Sequence, residues 1–140
     1  MLERMEDGRM NLVARGIRPV RVVERQGHLP YPAGVVQFVE DRDEVPDPRL
    51  VQEAHEAYAE LVRLATDNDP DPDELAEMTA YAMAATVDFG LAAKQGLLDL
   101  RSETARLRLV TRLFRAAIKR LEFVERAQER ARSNGKVKFG

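Results

Sequence analysis

The apolar pattern in the last quarter of the chain limits the fold more than any other feature. Between Ser102 and Ser133, apolar residues recur at alternating spacings of three and four, as on one face of an α-helix: Leu107, Val110, Phe114, Ala117, Leu121 and Val124. About 30 residues at a rise of 1.5 Å make a rod of roughly 45 Å, longer than a small domain is wide. The pattern therefore predicts a long C-terminal helix against which the rest of the chain packs.

Three shorter helices are predicted upstream of it, at about residues 48–65, 73–85 and 91–98. Asp47 is a suitable N-cap for the first of them, and Pro48 suits its first position. Ser102, followed by an acidic residue, is a suitable N-cap for the long helix. Together these segments predict a four-helix bundle over residues 47–134, followed by a basic tail at residues 135–140.

The first 40 residues have the alternating apolar pattern of strands instead. Three strands are predicted, at residues 9–15, 20–25 and 33–39. A three-stranded antiparallel β-meander followed by helices belongs to the α+β class. So small a sheet leaves two bare edges. We therefore expect either further strands before Met1 or a second chain that covers an edge.

Composition and charge exclude several classes of protein. The chain has no cysteine, so disulfides and thiolate chemistry are excluded. No apolar run approaches the length of a membrane span, and we expect a cytoplasmic protein that does not bind membranes. Residues 40–88 hold fifteen Asp and Glu against three Lys and Arg, whereas residues 101–140 hold four against twelve. These opposite charges could pair with each other, with a second copy or with a partner.

The residue types that most enzymes use are scarce. Four aspartates alternate as in a calcium loop (Asp67, Asp69, Asp71 and Asp73), but Pro72 and Met78 stand where an EF-hand needs glycine and glutamate. Two histidines are too few for a multi-histidine metal site, and there is no glycine-rich phosphate loop. The two serines, Ser102 and Ser133, are better explained as helix-end residues than as nucleophiles. We expect no enzymatic activity, no metal and no cofactor.

The long helix is rich in cations, namely Arg106, Arg108, Arg112, Arg115, Lys119, Arg120, Arg126 and Arg130. Four of them are three or four residues apart and share one face, as a phosphate-binding surface requires: Arg108, Arg112, Arg115 and Lys119. Alternatively, these side chains cover the flanks of the helix and pair with the acidic helix at residues 50–64. No cluster of aromatic residues that could stack on RNA bases accompanies them. Both interpretations stay open.

Three stretches of the chain resemble a known family. The first is GRMNLVARGIRPVRVVE, from Gly8 to Glu24, and the second is the Tyr31-Pro32 loop that leads into AGVVQFVED. The third is DELAEMTAYAM followed by AAKQGLLDLRSETARLRLVTRLF, in the helical part. Their order and spacing, over about residues 8–134, resemble the LON substrate-binding domain. This is the N-terminal domain of Lon-type ATP-dependent proteases (peptidase S16), and it also occurs in stand-alone bacterial versions.

The resemblance implies a single LON-type domain over residues 1–140, whose strands are the remnant of a PUA-like β-subdomain. The opening strands of the family, with their P-L-F-P start, have no counterpart here, so the chain resembles the later part of that domain. The ATPase and protease modules of Lon have no counterpart either. The resemblance therefore implies a non-catalytic module of protein quality control. It would bind unfolded or exposed hydrophobic polypeptide segments and have a link to ATP-dependent proteolysis.

On this hypothesis, apolar grooves and bare strand edges bind the substrate. The candidate contacts are Tyr31, Val36, Phe38, Tyr58, Met78 and Met83, and a place in the core is the alternative for each. A second hypothesis is an RNA-binding module that uses the basic face of the last helix, because LON β-subdomains resemble PUA-type RNA-binding folds. The partners expected are thus an unfolded polypeptide or a component of a protease system, with nucleic acid as the alternative. Bare edges and the long apolar stripe also predict a homodimer.

Overall fold

The computed structural model describes residues 2–134 and divides the chain into two compact units, residues 1–40 and residues 41–140. We call them the β unit and the helical unit. Strands occur in the first and helices in the second, so the predicted α+β class is confirmed. The predicted basic tail at residues 135–140 lies outside the described residues.

The β unit consists of two antiparallel hairpins in the part that the structure describes. Their strands are β1 (Leu2–Arg4), β2 (Met10–Leu12), β3 (Val20–Gln26) and β4 (Ala33–Phe38). β1 pairs with β2, and β3 pairs with β4. The predicted three-stranded meander is therefore wrong in its pairing, because the first predicted strand pairs with β1 and not with β3. Gly8 makes this pairing possible, since its φ of 86° closes the tight turn between β1 and β2.

The β3–β4 hairpin has a bulge and one apolar face. Val20 lies opposite Phe38 and Val22 opposite Val36, so these four side chains share one face. The register shifts between Val22 and Glu24, and a Cβ atom at Gly34 would lie 2.6 Å from the carbonyl oxygen of Glu24. Only glycine fits at that close approach.

No side chain between Met5 and Glu40 is buried. The apolar face of β3 and β4 is about half exposed, from 46% at Val20 to 57% at Val22. A two-stranded hairpin that buries nothing is marginal in water. The described part of the β unit therefore has no hydrophobic core of its own.

The helical unit contains five helices in its described part. They are α1 (Pro48–Thr66), α2 (Pro72–Ala76), α3 (Ala80–Ala85), α4 (Leu91–Asp99) and α5 (Glu103–Asn134). The single helix predicted at residues 73–85 is two helices. The hydroxyl of Thr79 caps α3 by accepting from the backbone N–H of Ala82 at 3.2 Å. His55 of α1 donates from Nε2 to the carbonyl oxygen of Met78 at 2.9 Å, which supports the break.

The predicted caps of the two longest helices are confirmed. Asp47 accepts from the backbone N–H of Arg49 at 2.9 Å, with Pro48 at the first position of α1. Ser102 accepts from the N–H of Ala105 at 3.1 Å at the start of α5. Local side-chain chemistry thus sets both starting points.

The core lies in the helical unit, where α1 and α3 pack against α5. Its fully buried large side chains are Phe114, Met83, Leu97, Leu107 and Val110. Three of these come from the apolar stripe of α5. The long helix is therefore the element around which the helical unit is built, as its sequence pattern predicts.

Candidate functional site

An apolar groove of about 970 Å³ opens on the helical unit between α1 and α5. A volume of this order is typical of ligand-binding clefts. The groove is lined by Tyr58, Leu61, Val62, Ala65, Thr66, Thr86, Val87, Asp88, Phe89, Gly90, Leu113, Ala116, Ala117, Arg120, Leu121 and Val124. Most of these residues are apolar or aromatic, which makes the groove a candidate site for an apolar ligand.

The two helices that line the groove differ in length. At 1.5 Å per residue, the 19 residues of α1 extend about 28 Å and the 32 residues of α5 about 48 Å. The shorter helix cannot cover the apolar stripe of the longer one, and Val124 remains 43% exposed. The segment from Thr86 to Gly90 closes part of the space that α1 leaves open.

Two buried aromatic residues, Tyr58 and Phe114, and the half-buried Phe89 hold the groove in shape. The ring of Phe114 lies 5.5 Å from the ring of Tyr58 and 5.5 Å from the ring of Phe89, measured between centroids. The Tyr58 hydroxyl lies 3.0 Å from Oγ1 of Thr86, which itself donates to the carbonyl oxygen of Met83. Tyr58 is therefore the donor to Thr86, and this chain of bonds ties α1 to the loop after α3.

Two charged residues line the groove, and they differ in their partners. Asp88 accepts from the backbone N–H of Gly90 at 3.0 Å, so its carboxylate is engaged in the loop. Arg120 is exposed, and among the described residues it makes no ion pair or side-chain hydrogen bond. The groove thus presents one cation that is available to a ligand.

The candidate contacts on the helices lie at different depths. Tyr58 is buried and forms part of the groove wall. Met83 is fully buried in the core, and Met78 is half-buried with its carbonyl oxygen bonded to His55. Of these three, only Tyr58 lines the groove.

The candidate contacts in the β unit are all exposed. Val36 and Phe38 lie on the apolar face of the β3–β4 hairpin, and Tyr31 precedes β4 with 60% of its surface accessible. The guanidinium of Arg18 lies 3.9 Å from the ring centroid of Phe38, a cation–π contact. This face is a second apolar surface, distinct from the groove.

The four cations of the proposed nucleic-acid face are exposed on α5, namely Arg108, Arg112, Arg115 and Lys119. Arg115 is 3.8 Å from the carboxylate of Glu53 on α1, the kind of pairing that the alternative interpretation predicts. Within the described residues, the other three make no ion pair. The face therefore retains accessible positive charge.

Arg106 does not belong to that exposed set, because it is 2% exposed. Its Nε donates to Glu103 at 2.9 Å, and its two terminal nitrogens bond to the two carboxylate oxygens of Asp41. It also donates to the carbonyl oxygen of Leu100 at 3.1 Å and lies 4.4 Å from the ring centroid of Tyr81. We call these five residues the Arg106 cluster.

The Arg106 cluster joins three parts of the helical unit. Burial disfavours the charge of Arg106, but hydrogen bonds to Asp41 and Glu103 outweigh burial and raise its pKa. The second carboxylate oxygen of Glu103 accepts from the backbone N–H of Ala80 at 2.7 Å, at the start of α3. The cluster thus connects the linker before α1 with α3 and α5, and its role is structural.

Acid should weaken the Arg106 cluster. The hydrogen bond from Arg106 lowers the pKa of Asp41 below its ordinary value of 3.8, against the opposing effect of burial. A carboxyl with a lowered pKa stabilises the fold above its unfolded pKa, and this contribution is lost as the pH falls from about 4 through the lower folded pKa. Urea unfolding at a series of pH values should show a loss of stability below about pH 4 that is smaller in Asp41→Asn. Asp43→Asn, at an exposed linker position, is the control, and an equal loss in both variants would contradict this role of Asp41.

No group of three or more Asp, Glu or His residues among residues 2–134 could hold a metal ion. No helix in the described part of the chain is long and apolar enough to cross a bilayer.

Comparison with known families shows the family of the chain. The family model of the ATP-dependent protease La (LON) substrate-binding domain matches residues 1–116, more than four-fifths of the 140 residues. The chain belongs to this family. The LON match includes strands of the β unit, α1 to α4 and the first part of α5. No curated protein matches the chain.

Membership in the LON substrate-binding family has a direct consequence for function. The family is a non-catalytic binding module, and the protease activity of Lon proteins lies in a different domain. The LON match contains the α1 side of the groove and ends at Ala116, so four lining residues of α5 lie beyond it: Ala117, Arg120, Leu121 and Val124. Sequence reasoning assigned the apolar members of this set to a buried stripe. The large difference in predicted length between the first and last helices was the signal that part of this stripe is uncovered.

Proposed function

We propose that this LON-type domain binds unfolded polypeptide segments and that the groove between α1 and α5 receives their apolar side chains. The observation that carries this proposal is the groove itself, an open apolar surface bordered by a few polar groups on a well-packed helical unit. Along α5 the lining extends from Leu113 to Val124, which corresponds to about 16 Å. An extended segment of about five residues spans that distance. This is a short stretch of chain, such as unfolding exposes in many proteins.

Filling the groove should weaken this binding. Ala116 is exposed and lines the groove, so Ala116→Trp places an indole in it without changing charge or opening the core. Losing the contact of one Leu-sized side chain costs about 1.5–3 kcal/mol, which corresponds to a loss of affinity of about tenfold or more. The measurement is fluorescence anisotropy of a labelled, permanently unfolded protein, at low and at high salt.

The control for this experiment is Ala131→Trp. Ala131 is also exposed on α5 but does not line the groove, so the same indole there should leave the affinity unchanged. Equal loss of binding in both variants would contradict the groove as the site, and so would equal retention. Binding that survives high salt supports apolar contact as the main source of affinity.

Nucleic-acid binding is the second candidate function, supported by Arg108, Arg112 and Lys119, which make no ion pair in the part of the chain that the structure describes. A structured RNA added to the same assay separates the two functions. Phosphate binding loses affinity steeply with salt, because each neutralised phosphate releases a counterion. RNA binding that disappears at high salt, without capture of the unfolded protein, would move the function to this face of α5.

The biological setting of the domain is part of the same proposal. We propose that it acts in the cytoplasm, has no catalytic activity of its own and recognises substrates for ATP-dependent proteolysis. Its family membership supports this placement. We also propose that it forms a homodimer, supported by the exposed apolar face of the β3–β4 hairpin. Light scattering decides this point, since a monomer has a mass of 15.8 kDa.

A further inference from the structure

Arg120 has an unusual position in the groove. It is the lining residue of α5 that carries a charge, and apolar lining lies on both sides of it along the helix. Ala116 and Ala117 precede it by about one turn, and Val124 follows it by one turn. Among the described residues, no carboxylate pairs with its guanidinium.

A ligand that covers this stretch of α5 removes water from the guanidinium. A charge that loses its water without gaining a partner costs free energy, which a wholly apolar ligand cannot offset. A carboxylate on the ligand offsets this cost through charge-assisted hydrogen bonds, which are shorter and stronger than neutral ones. Arg120 therefore favours acidic segments and disfavours neutral ones in the same place.

We propose that the groove selects apolar segments that contain an internal aspartate or glutamate, with Arg120 as the residue that binds this carboxylate. This inference rests on the proposed function and names its substrate class. An internal residue is favoured over a chain terminus because apolar lining continues on both sides of Arg120, at Ala117 and at Val124.

The test compares short, labelled apolar peptides with blocked ends that differ only in a central Glu or Gln. The chain should bind the Glu peptide about three- to tenfold more tightly than the Gln peptide, as expected for a partly exposed Arg–carboxylate pair. Arg120→Gln should remove this preference and leave the affinity for the Gln peptide similar or slightly higher. Arg130→Gln removes the same charge at an exposed position of α5 outside the groove and should keep the preference.

Several outcomes would overturn the proposal. Equal binding of the two peptides by the unmodified chain contradicts selection for a carboxylate, while the groove remains a binding site for apolar segments. A Gln peptide with a free C-terminal carboxylate that binds better than the Glu peptide contradicts the internal position. A preference that persists in Arg120→Gln, or disappears equally in Arg130→Gln, contradicts the role of Arg120. Absence of binding by either peptide, with no effect of Ala116→Trp on the unfolded protein, contradicts the proposed function itself.

Discussion

Replacing Arg106 by methionine should lower the free energy of unfolding of the helical unit by about 1.5–3 kcal/mol, the usual range for hydrogen bonds to charged groups. The methionine fills much of the space but donates no hydrogen bonds. One carboxylate oxygen of Glu103 and the carbonyl oxygen of Leu100 then lose this donor at half-buried positions, while the carboxylate of Asp41 is partly exposed to water. For a unit of this size the melting temperature should fall by at least about 6 °C.

Two further variants make the expectation for Arg106 specific. Arg108→Met makes the same substitution at an exposed position two residues later, where the effect should stay within about 0.5 kcal/mol. Arg106→Lys keeps the charge but loses the planar fork that binds Asp41 and Glu103 together, so its stability should be intermediate. A cost for Arg106→Met no larger than that for Arg108→Met would show that the cluster does not stabilise the unit.

Replacing Phe114 by alanine should cost about 3–5 kcal/mol, as expected when a large aromatic side chain leaves a packed core. Phe114 is 0% exposed and contacts the rings of Tyr58 and Phe89. Removing it leaves a cavity between two residues that line the groove. Chemical denaturation should therefore show a lower midpoint, and the anisotropy assay should show weaker binding of the unfolded protein even where the variant is fully folded.

Phe123 supplies the matched control on the same helix. It is 72% exposed and does not line the groove, so Phe123→Ala should change the free energy of unfolding by less than about 0.5 kcal/mol. Both substitutions replace phenylalanine by alanine on the same helix, so they change helix propensity alike. A difference in the free energy of unfolding between the two variants therefore comes from the burial of Phe114. Similar losses in both variants would contradict the assignment of Phe114 to the packed core.

Local signals in the sequence were sufficient for the helix starts and for the long helix. Asp47 and Ser102 cap their helices through atoms two or three residues away, so residue type and position predict them. Strand β1 was missed because three residues are too few for a periodic pattern. The break between α2 and α3 was missed because one of its supports, the bond from His55 to Met78, joins residues 23 positions apart.

The same difference between local signals and contacts far apart in the chain explains which features of the site the sequence predicted. Arg106 belongs to the same cation-rich helix as the exposed cations of α5, and its bond to Asp41 joins residues 65 positions apart in the chain. Met83 and Phe38 are both apolar candidates in the sequence, but only packing decides that the first is in the core and the second is exposed. The groove is formed by α1, α5 and the loop from Thr86 to Gly90. No periodic pattern in the sequence describes how these three segments come together.

The lack of any buried side chain between Met5 and Glu40 also determines how the amides of the β unit exchange with solvent deuterium. Backbone hydrogen bonds without apolar cover open often, so the amides of β3 and β4 should exchange far faster than those of α1 and α5. A molecule that covers the face formed by Val20, Val22, Val36 and Phe38 makes this opening costly. Deuterium uptake by β3 and β4 would therefore measure directly, residue by residue, whether that face is occupied.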